Sequence, residues 1–455
     1  MGRITLRQAA QWCGGYVEEK YADVTFLGAS NDTREIKPGQ LFVALQGARD
    51  GNDFVLSAMA AGAAAALCTR RMGDCPAIYV SDTRIALGEI ARGERQRLGM
   101  KVVGITGSVG KSTTKEMAAT VLEGTWRVSK TPVNHNNDIG MPMAILGMPE
   151  DTQVAVLEMG MNHFREMAYL SSIARPDVAV IVNIGTMHIE NLGTIEGIRQ
   201  AKMEIVEGMS ADGSLILNGD DTMLRNLTGT FRQKITYFGS DPDCAVRCIE
   251  PHQEENRLCF RVESMGASFP VEMNLEGMHY ISDAMAAVSI GLQLGVAPEN
   301  IRQRLGQFHN LEGRQEILQV AGYTVIKDCY NAGPESMAAA LQVLSTKPGR
   351  RIAVLGDMLE LGSCAQAEHY RIGRLSVKRT DMVLAYGPNA PRVRSGCLTG
   401  GMPENRCRAF QDKTELTSAL LRFAKPGDTI LFKGSHGMHM ETVLEVFLAD
   451  KAEKK

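Results

Sequence analysis

Val102-Val103-Gly104-Ile105-Thr106-Gly107-Ser108-Val109-Gly110-Lys111-Ser112-Thr113 is the stretch whose reading decides the fold of this chain. A short β-rich run enters a glycine-rich loop, and a helical pattern from Ser112 to Leu122 leaves it. Strand, loop and helix in that order is the setting of a phosphate-binding loop. Glycines let backbone N–H groups turn toward phosphate oxygens, and the helix N-terminus adds positive potential. Gly107, Ser108, Val109, Gly110, Lys111, Ser112 and Thr113 are therefore candidate nucleotide contacts. Lys111 is placed to reach the β- and γ-phosphates, and the Ser112 hydroxyl to ligate Mg2+. The spacing departs from the usual one: the first glycine would fall at residue 105, which is Ile, while glycines stand at 104 and 107. The competing reading is a glycine-rich turn closed by a basic residue. The chain has no Asn-Lys-x-Asp sequence, which disfavours a guanine nucleotide.

Working outward, Val154–Glu158 and Val178–Ile184 read as further buried strands separated by helix-length segments. Strands alternating with helices imply a parallel sheet covered on both faces, an α/β fold. In such a sheet the C-terminal strand ends form the ligand edge. Glu158 stands there as a carboxylate suited to Mg2+, or else as a strand-end acid solvated in a loop. His188 follows the next strand, where a satisfied structural histidine is the alternative to a ligand. Lys202 lies on the helical stretch after it and by itself reads as a solvated lysine.

With 455 residues the chain is too long for one core, and two or three domains are expected. Residues 1 to about 97 mix short apolar segments with a turn-rich stretch at 29–53. The small-apolar run Ala58–Cys68 is too short to span a bilayer and reads as a packed helix. The start, Met1-Gly2-Arg3-Ile4-Thr5-Leu6, lacks the apolar run of a signal peptide. From Ile235 to Asn274 the period changes: Leu258, Phe260 and Val262, then Phe269, Val271 and Met273, alternate with polar residues. That is the pattern of half-buried antiparallel strands appended to the main sheet. After His309-Asn310-Leu311-Glu312-Gly313 the α/β alternation restarts, with strands expected at Thr324–Lys327, Ile352–Leu355, Met382–Ala385 and Thr429–Phe432. Ten scattered cysteines without paired CxxC spacing indicate neither a zinc site nor a disulfide framework. A net charge of −3 provides no basic field for nucleic acid.

Taken in order, Gly107 to Thr113, Asn134-His135-Asn136-Asn137-Asp138, Glu158-Met159-Gly160-Met161-Asn162-His163, His188-Ile189-Glu190, Ala201-Lys202-Met203-Glu204-Ile205 and Gly313-Arg314 resemble the Mur ligase family. So do Asp328-Cys329-Tyr330-Asn331-Ala332, Gly356-Asp357-Met358-Leu359-Glu360-Leu361-Gly362 and Lys433-Gly434-Ser435. The Tyr330-Asn331-Ala332 and Gly356–Gly362 stretches are similar to the branch that adds D-alanyl-D-alanine.

The resemblance implies three domains: a UDP-binding module at 1–97, a central ATPase at 98–311 and a Rossmann-like domain at 312–455. It implies a cytoplasmic, monomeric enzyme that uses ATP and Mg2+ to join D-alanyl-D-alanine to UDP-N-acetylmuramoyl-tripeptide, with no membrane insertion. It also implies that Lys202 carries a CO2-derived carbamate, which converts a cation into an oxygen ligand. Glu158 and His188 would ligate the same metal, and Asn137 would line the acyl-phosphate region. Arg314 would contact phosphate and Asp328 ribose. Asp32, Thr33 and Arg34 would lie in the UDP module, and Tyr330 and Asn331 near the amine substrate. The chain departs from the family at Tyr280 and Asp283, where amides are usual on the adenine side, and at Cys329 and Gly333. Rival expectations are a Mur ligase adding a single amino acid, a folylpolyglutamate synthase, and a nucleotide-switched binding protein that forms no bond.

Overall fold

The strand that opens the loop, Lys101–Thr106, lies inside a nine-stranded sheet between Val154–Glu158 and Val178–Ile181. The structure is a computed structural model, and it describes residues 4–264 and 266–453. The Met1–Arg3 part of the N-terminal reading lies outside the described residues. Both neighbours of Lys101–Thr106 run parallel to it, in register Glu158↔Ile105 and Ile181↔Thr106. Their residues are buried on both faces, which is why the sequence shows continuous apolar runs without alternation. The helices Lys111–Leu122 and Tyr280–Gln293 pack together on one face. Helices Glu166–Ala174 and Gly140–Leu146 cover the other.

The structure departs from the sequence expectations at two places. Lys234–Gly239, expected among antiparallel strands, pairs parallel with Ser214–Asn218; the antiparallel ribbon begins only at Val246 and continues through Arg257–Ser264 and Ala267–Met273. Alternation of burial marks a strand with one covered face, and that says nothing about the direction of its neighbour. The run Ala58–Cys68 is not one helix. The helix Val55–Ala60 stops before Gly62, whose φ of +103° only glycine adopts easily, and Ala65–Cys68 then forms a buried strand. Alanine-rich apolar runs fit either element until a left-handed residue breaks them.

The first residues build a separate five-stranded sheet ordered Tyr16–Val17, Ala77–Tyr79, Ala65–Cys68, Leu41–Val43 and Ala29–Ser30. A six-stranded sheet holds the C-terminal part, with Tyr323–Asp328, Thr429–Lys433, Arg351–Gly356 and Met382–Tyr386 all mutually parallel. Two edge strands, Glu316–Val320 and Cys407–Phe410, were not expected; the first is only half-buried.

The N-terminal and central sheets are joined by the helix Thr83–Leu98. Asp82 caps its start by accepting from Arg84 N (2.8 Å) and Ile85 N (3.0 Å), and Gly99 in left-handed conformation ends it. Two interior glycines give this helix close neighbours on both sides. A Cβ at residue 93 would lie 2.2 Å from Trp12 Cδ2, and one at residue 88 would lie 2.3 Å from Tyr169 Oη. Alanine gains about 1 kcal/mol of helix propensity over glycine, but inserting a methyl against an aromatic ring typically costs 1–3 kcal/mol. Gly93→Ala is therefore expected to lower the urea unfolding midpoint. Gly93→Ala with Trp12→Leu should recover part of the loss, a coupling readable by a double-mutant cycle.

Candidate active site

The carboxyl ends of Lys101–Thr106, Val154–Glu158 and Val178–Ile181 open into a cleft of about 590 Å³, closed on its far side by residues of the C-terminal unit. Gly110, with φ +85°, turns the loop into the helix Lys111–Leu122. The first helical amides have no acceptor within the helix. Gly110, Lys111, Ser112 and Thr113 line the cleft, so these donors form an anion site at a helix N-terminus. Ser108 and Val109 also line it, but their amides are occupied. Both donate to Asn183 Oδ1 (3.0 and 2.9 Å), while Asn183 Nδ2 donates to Val109 O (2.9 Å). The anion-binding donors thus lie later in the loop than glycine spacing alone suggests.

Lys111 Nζ donates to Gly107 O at 2.8 Å, and desolvation lowers its pKa against the opposing pull of Glu158. Ser112 Oγ donates to Glu158 Oε2 at 2.6 Å and accepts from Arg314 Nη2 at 2.9 Å. One hydroxyl therefore joins the loop, the neighbouring strand end and the C-terminal unit. Glu158 is buried, its other oxygen taken by Asn136 Nδ2 (2.8 Å) and its own amide donating to Thr131 Oγ1 (3.0 Å). Asn136 and Thr131 were not singled out from the sequence; nothing in their local pattern shows that they brace a carboxylate. Asn137 lines the cleft while its Oδ1 accepts from Gly140 N (2.8 Å), the first residue of the following short helix.

Lys202 does not line the cleft. It is buried beneath the loop, where its Nζ donates to Gly107 O at 3.0 Å. Burial, and after it the nearby Lys111 ammonium, push its pKa well below the usual lysine range. His188, at φ +65°, lines the cleft where the C-terminal unit touches the central one, its Nδ1 2.7 Å from Glu360 Oε2. The Ser112 hydroxyl and the Glu158 carboxylate are oxygen donors suited to a hard cation beside a nucleotide phosphate, and the His188 imidazole lines the same cleft. The carboxylate stands directly against the hydroxyl that would share that cation.

From the C-terminal unit, the Arg314 guanidinium lies 3.9 Å from the centre of the Tyr330 ring, and Tyr330 Oη bonds Asn134 of the central unit. Asp328 accepts from Lys433 Nζ (2.7 Å), which also donates to Asn331 O (3.0 Å). Glu335 accepts from Thr186 N and Thr186 Oγ1, both at 3.1 Å, adding a further link between units. Asp32, Thr33 and Arg34 lie apart from this cleft on the N-terminal unit. Arg34 Nε donates to Asp32 Oδ1 (2.9 Å), and with the Arg34 amide it holds the Asp32 carboxyl down at about 2.

The two departures near the nucleotide have different settings. The Tyr280 hydroxyl accepts from Asn310 Nδ2 at 2.6 Å. Asp283 is buried against Gly110, so that a Cβ there would lie 2.2 Å from Asp283 Oδ1, and accepts from Thr114 Oγ1 at 3.1 Å. It therefore faces the phosphate loop.

Residues 105–291 match the family described as Mur ligase middle domain, and residues 313–436 match Mur ligase, glutamate ligase domain. A UDP-N-acetylmuramoyl-tripeptide--D-alanyl-D-alanine ligase of Bacillus subtilis (strain 168) is 37% identical, covering 98% of each chain. The chain belongs to the Mur ligase family. The ligase of the same name from Escherichia coli (strain K12) is 35% identical over 97% of each chain. A crystal structure of MurF from Acinetobacter baumannii superposes with a TM-score of 0.91 at 32% identity, covering 99% of both chains. The MurF ligase of Thermotoga maritima, solved in complex with ADP, gives 0.84 at 28% identity, covering 94% of this chain and 99% of that one. The three α/β units described above are the architecture of this Mur ligase.

Burial raises the Asp283 carboxyl from an ordinary 3.8 to about 7, against the hydrogen bond from Thr114 and the charge of Arg314. A raised carboxyl pKa means that the unfolded chain ionises first. Its contribution is lost as pH climbs from about 4 to about 7 and is constant above that. At 1.36 kcal/mol per pKa unit the ceiling is about 4 kcal/mol. Asp283→Asn is expected to raise the unfolding midpoint at pH 8 and to leave it unchanged near pH 4, measured by thermal denaturation at the two pH values.

Proposed function

We propose that this chain joins D-alanyl-D-alanine to the terminal carboxylate of UDP-N-acetylmuramoyl-tripeptide, using ATP, in the synthesis of peptidoglycan precursors. The observation that carries the reading is the Ser112 hydroxyl, bonded at once to Glu158 and to Arg314, within a chain similar over its full length to ligases of that name. Nothing in the site favours a single-amino-acid-adding ligase, a folylpolyglutamate synthase or a switch protein over this reading.

A peptide carboxylate is a poor electrophile, so the reaction begins with transfer of the γ-phosphoryl group of ATP to it. Lys111 and Arg314 then offset charge on the transferring group, and the free helix amides fix its position. The amine of the dipeptide attacks the resulting acyl phosphate, and the tetrahedral intermediate collapses with loss of phosphate. No side-chain nucleophile is needed. Mg2+, when bound, neutralises phosphate charge, and Ser112, Glu158, His188 and carbamylated Lys202 are the residues that would hold it. Asp328, fixed by Lys433, would take the ribose, and Tyr330 and Asn331 would border the amine substrate. Asn137 would border the acyl phosphate, and Asp32, Thr33 and Arg34 the UDP moiety. The corresponding domains would be 1–97, 98–311 and 312–455, each containing one of the three larger sheets. Among the described residues no helix is long and apolar enough to cross a membrane; the proposed setting is a monomer in the cytoplasm.

Phosphate release should require both the UDP-tripeptide and the dipeptide, with a product heavier by one dipeptide less water in mass spectrometry. Release with either substrate missing would defeat the reading. Lys111→Ala should lower kcat by about 100-fold or more with an unchanged circular dichroism spectrum and unfolding midpoint.

Burial lowers the Lys202 pKa and so favours the neutral amine, the form that adds CO2, which supports the carbamate. Lys202→Ala should be nearly inactive, with acetate or formate restoring part of the turnover by supplying the missing oxygen. Full activity of Lys202→Ala in CO2-depleted buffer would rule the carbamate out.

A further inference from the structure

The segment Gly356–Gly362 has no part in the reaction as described, yet its tip reaches His188, a residue of the cleft wall, from the C-terminal unit. It is held firmly from behind. Met358 N donates to His369 Nε2 (2.9 Å), Leu359 N to Ser435 Oγ (2.9 Å), and Leu361 is buried. Between these anchors Glu360 adopts a left-handed conformation at φ +62°, one that a side-chain-bearing residue takes only when its surroundings impose it. Gly362, at φ +48°, lies so close to the central unit that a Cβ there would be 3.1 Å from Glu190 Cα. The tip is thus seated on the His188–Glu190 turn of the central unit.

His188 is the residue it meets, and His188 is also left-handed, at φ +65°. Its Nδ1 is buried and without a hydrogen bond, and the Glu360 carboxylate is 2.7 Å away but not aligned as its acceptor. A small rotation of either side chain makes the bond. With Nδ1 turned toward Glu360, Nε2 is the nitrogen left to the cleft that His188 lines. A histidine that binds a metal through one nitrogen nearly always gives the N–H of the other to a carboxylate, carbonyl or water, which fixes the tautomer and raises ligand basicity.

We propose that Glu360 is a positioning residue: delivered by the C-terminal unit, its carboxylate accepts the His188 Nδ1 proton and thereby orients Nε2 as a metal ligand of the central unit. Metal binding and the approach of the C-terminal unit are then one coupled event, because the two halves of the histidine's environment sit on different units. This rests on the reading of His188 as a metal ligand, and the experiment separates the two.

Mn2+ serves as the probe, added to enzyme saturated with ADP. Two quantities are read: the Kd for Mn2+ and the 14N modulation from a coordinated imidazole in electron spin echo. In the unsubstituted enzyme the imidazole signal should be present, and His188→Gln should abolish it. Glu360→Ala should weaken Mn2+ binding by about 10- to 100-fold and remove the signal. Glu360→Gln, whose amide oxygen still accepts from Nδ1–H, should retain both to within a few-fold. Lys347→Met breaks a different link between the units, the Lys347–Glu276 ion pair, and should leave the imidazole signal in place. An unchanged signal in Glu360→Ala, or equal loss in Lys347→Met, overturns the role of Glu360. A signal that survives His188→Gln overturns the metal reading of His188 and the proposal with it.

Discussion

The hydroxyl of Ser112 is the point at which the active cleft is held together. It is the second residue of a helix whose first amides have no internal partners, so it stands where positive potential is concentrated. It donates to Glu158 and accepts from Arg314, which ties a strand end of the central sheet to a side chain from beyond residue 311. A charged carboxylate and a guanidinium sharing one small hydroxyl is a tight arrangement, and each has further support. Asn136 and Thr131 hold Glu158, and the Tyr330 ring holds Arg314. The phosphate loop is similarly braced by Asn183, which occupies two of its amides and one of its carbonyls. Such bracing keeps donors in place before the reaction, and preorganised donors are what phosphoryl transfer draws on.

Much of this was legible in the sequence because the signals are local. The loop from Gly107 to Thr113, the apolar strand Val154–Glu158 ending in a carboxylate, and the restart of α/β alternation after Leu311 each depend on neighbours along the chain. The partners that hold the site do not. Asn136 reaches Glu158 across 22 positions, and Asn183 reaches Ser108 across 75. No periodicity encodes those pairings. The same limit explains the errors in the fold. Strand direction at Lys234–Gly239 is set by its neighbour, and the edge strand Glu316–Val320 is only half-buried, so neither leaves a mark in hydrophobic pattern. The resemblance to a family supplied Lys202, which chemistry alone would have assigned to solvent. Its burial beneath the loop is a property of the fold and not of the residues beside it.

The substitution at 283 illustrates how a change of one atom type can leave a helix in place and alter the balance beneath it. Tyr280 to Gln293 remains helical and packs against Lys111–Leu122. The carboxylate nevertheless comes to rest against Gly110, the residue that turns the loop into its helix, where a negative charge has little water and only a threonine hydroxyl to receive. The loop's positive potential is therefore opposed from behind by a group whose charge depends on pH.

The helix Thr83–Leu98 carries a consequence for how this enzyme could be blocked. Its glycines let Trp12 and Tyr169 press against it from either side, so the seam between the N-terminal and central sheets is packed side chain on backbone. The C-terminal unit meets the cleft differently, through polar pairs such as Thr186 with Glu335 and Asn134 with Tyr330. A small molecule aimed at the first seam has to displace close-packed aromatic rings. One aimed at the second has only to offer better hydrogen bonds than the protein offers itself. A wedge that holds the C-terminal unit away from Ser112 is therefore the more attainable inhibitor, and it need not resemble a nucleotide.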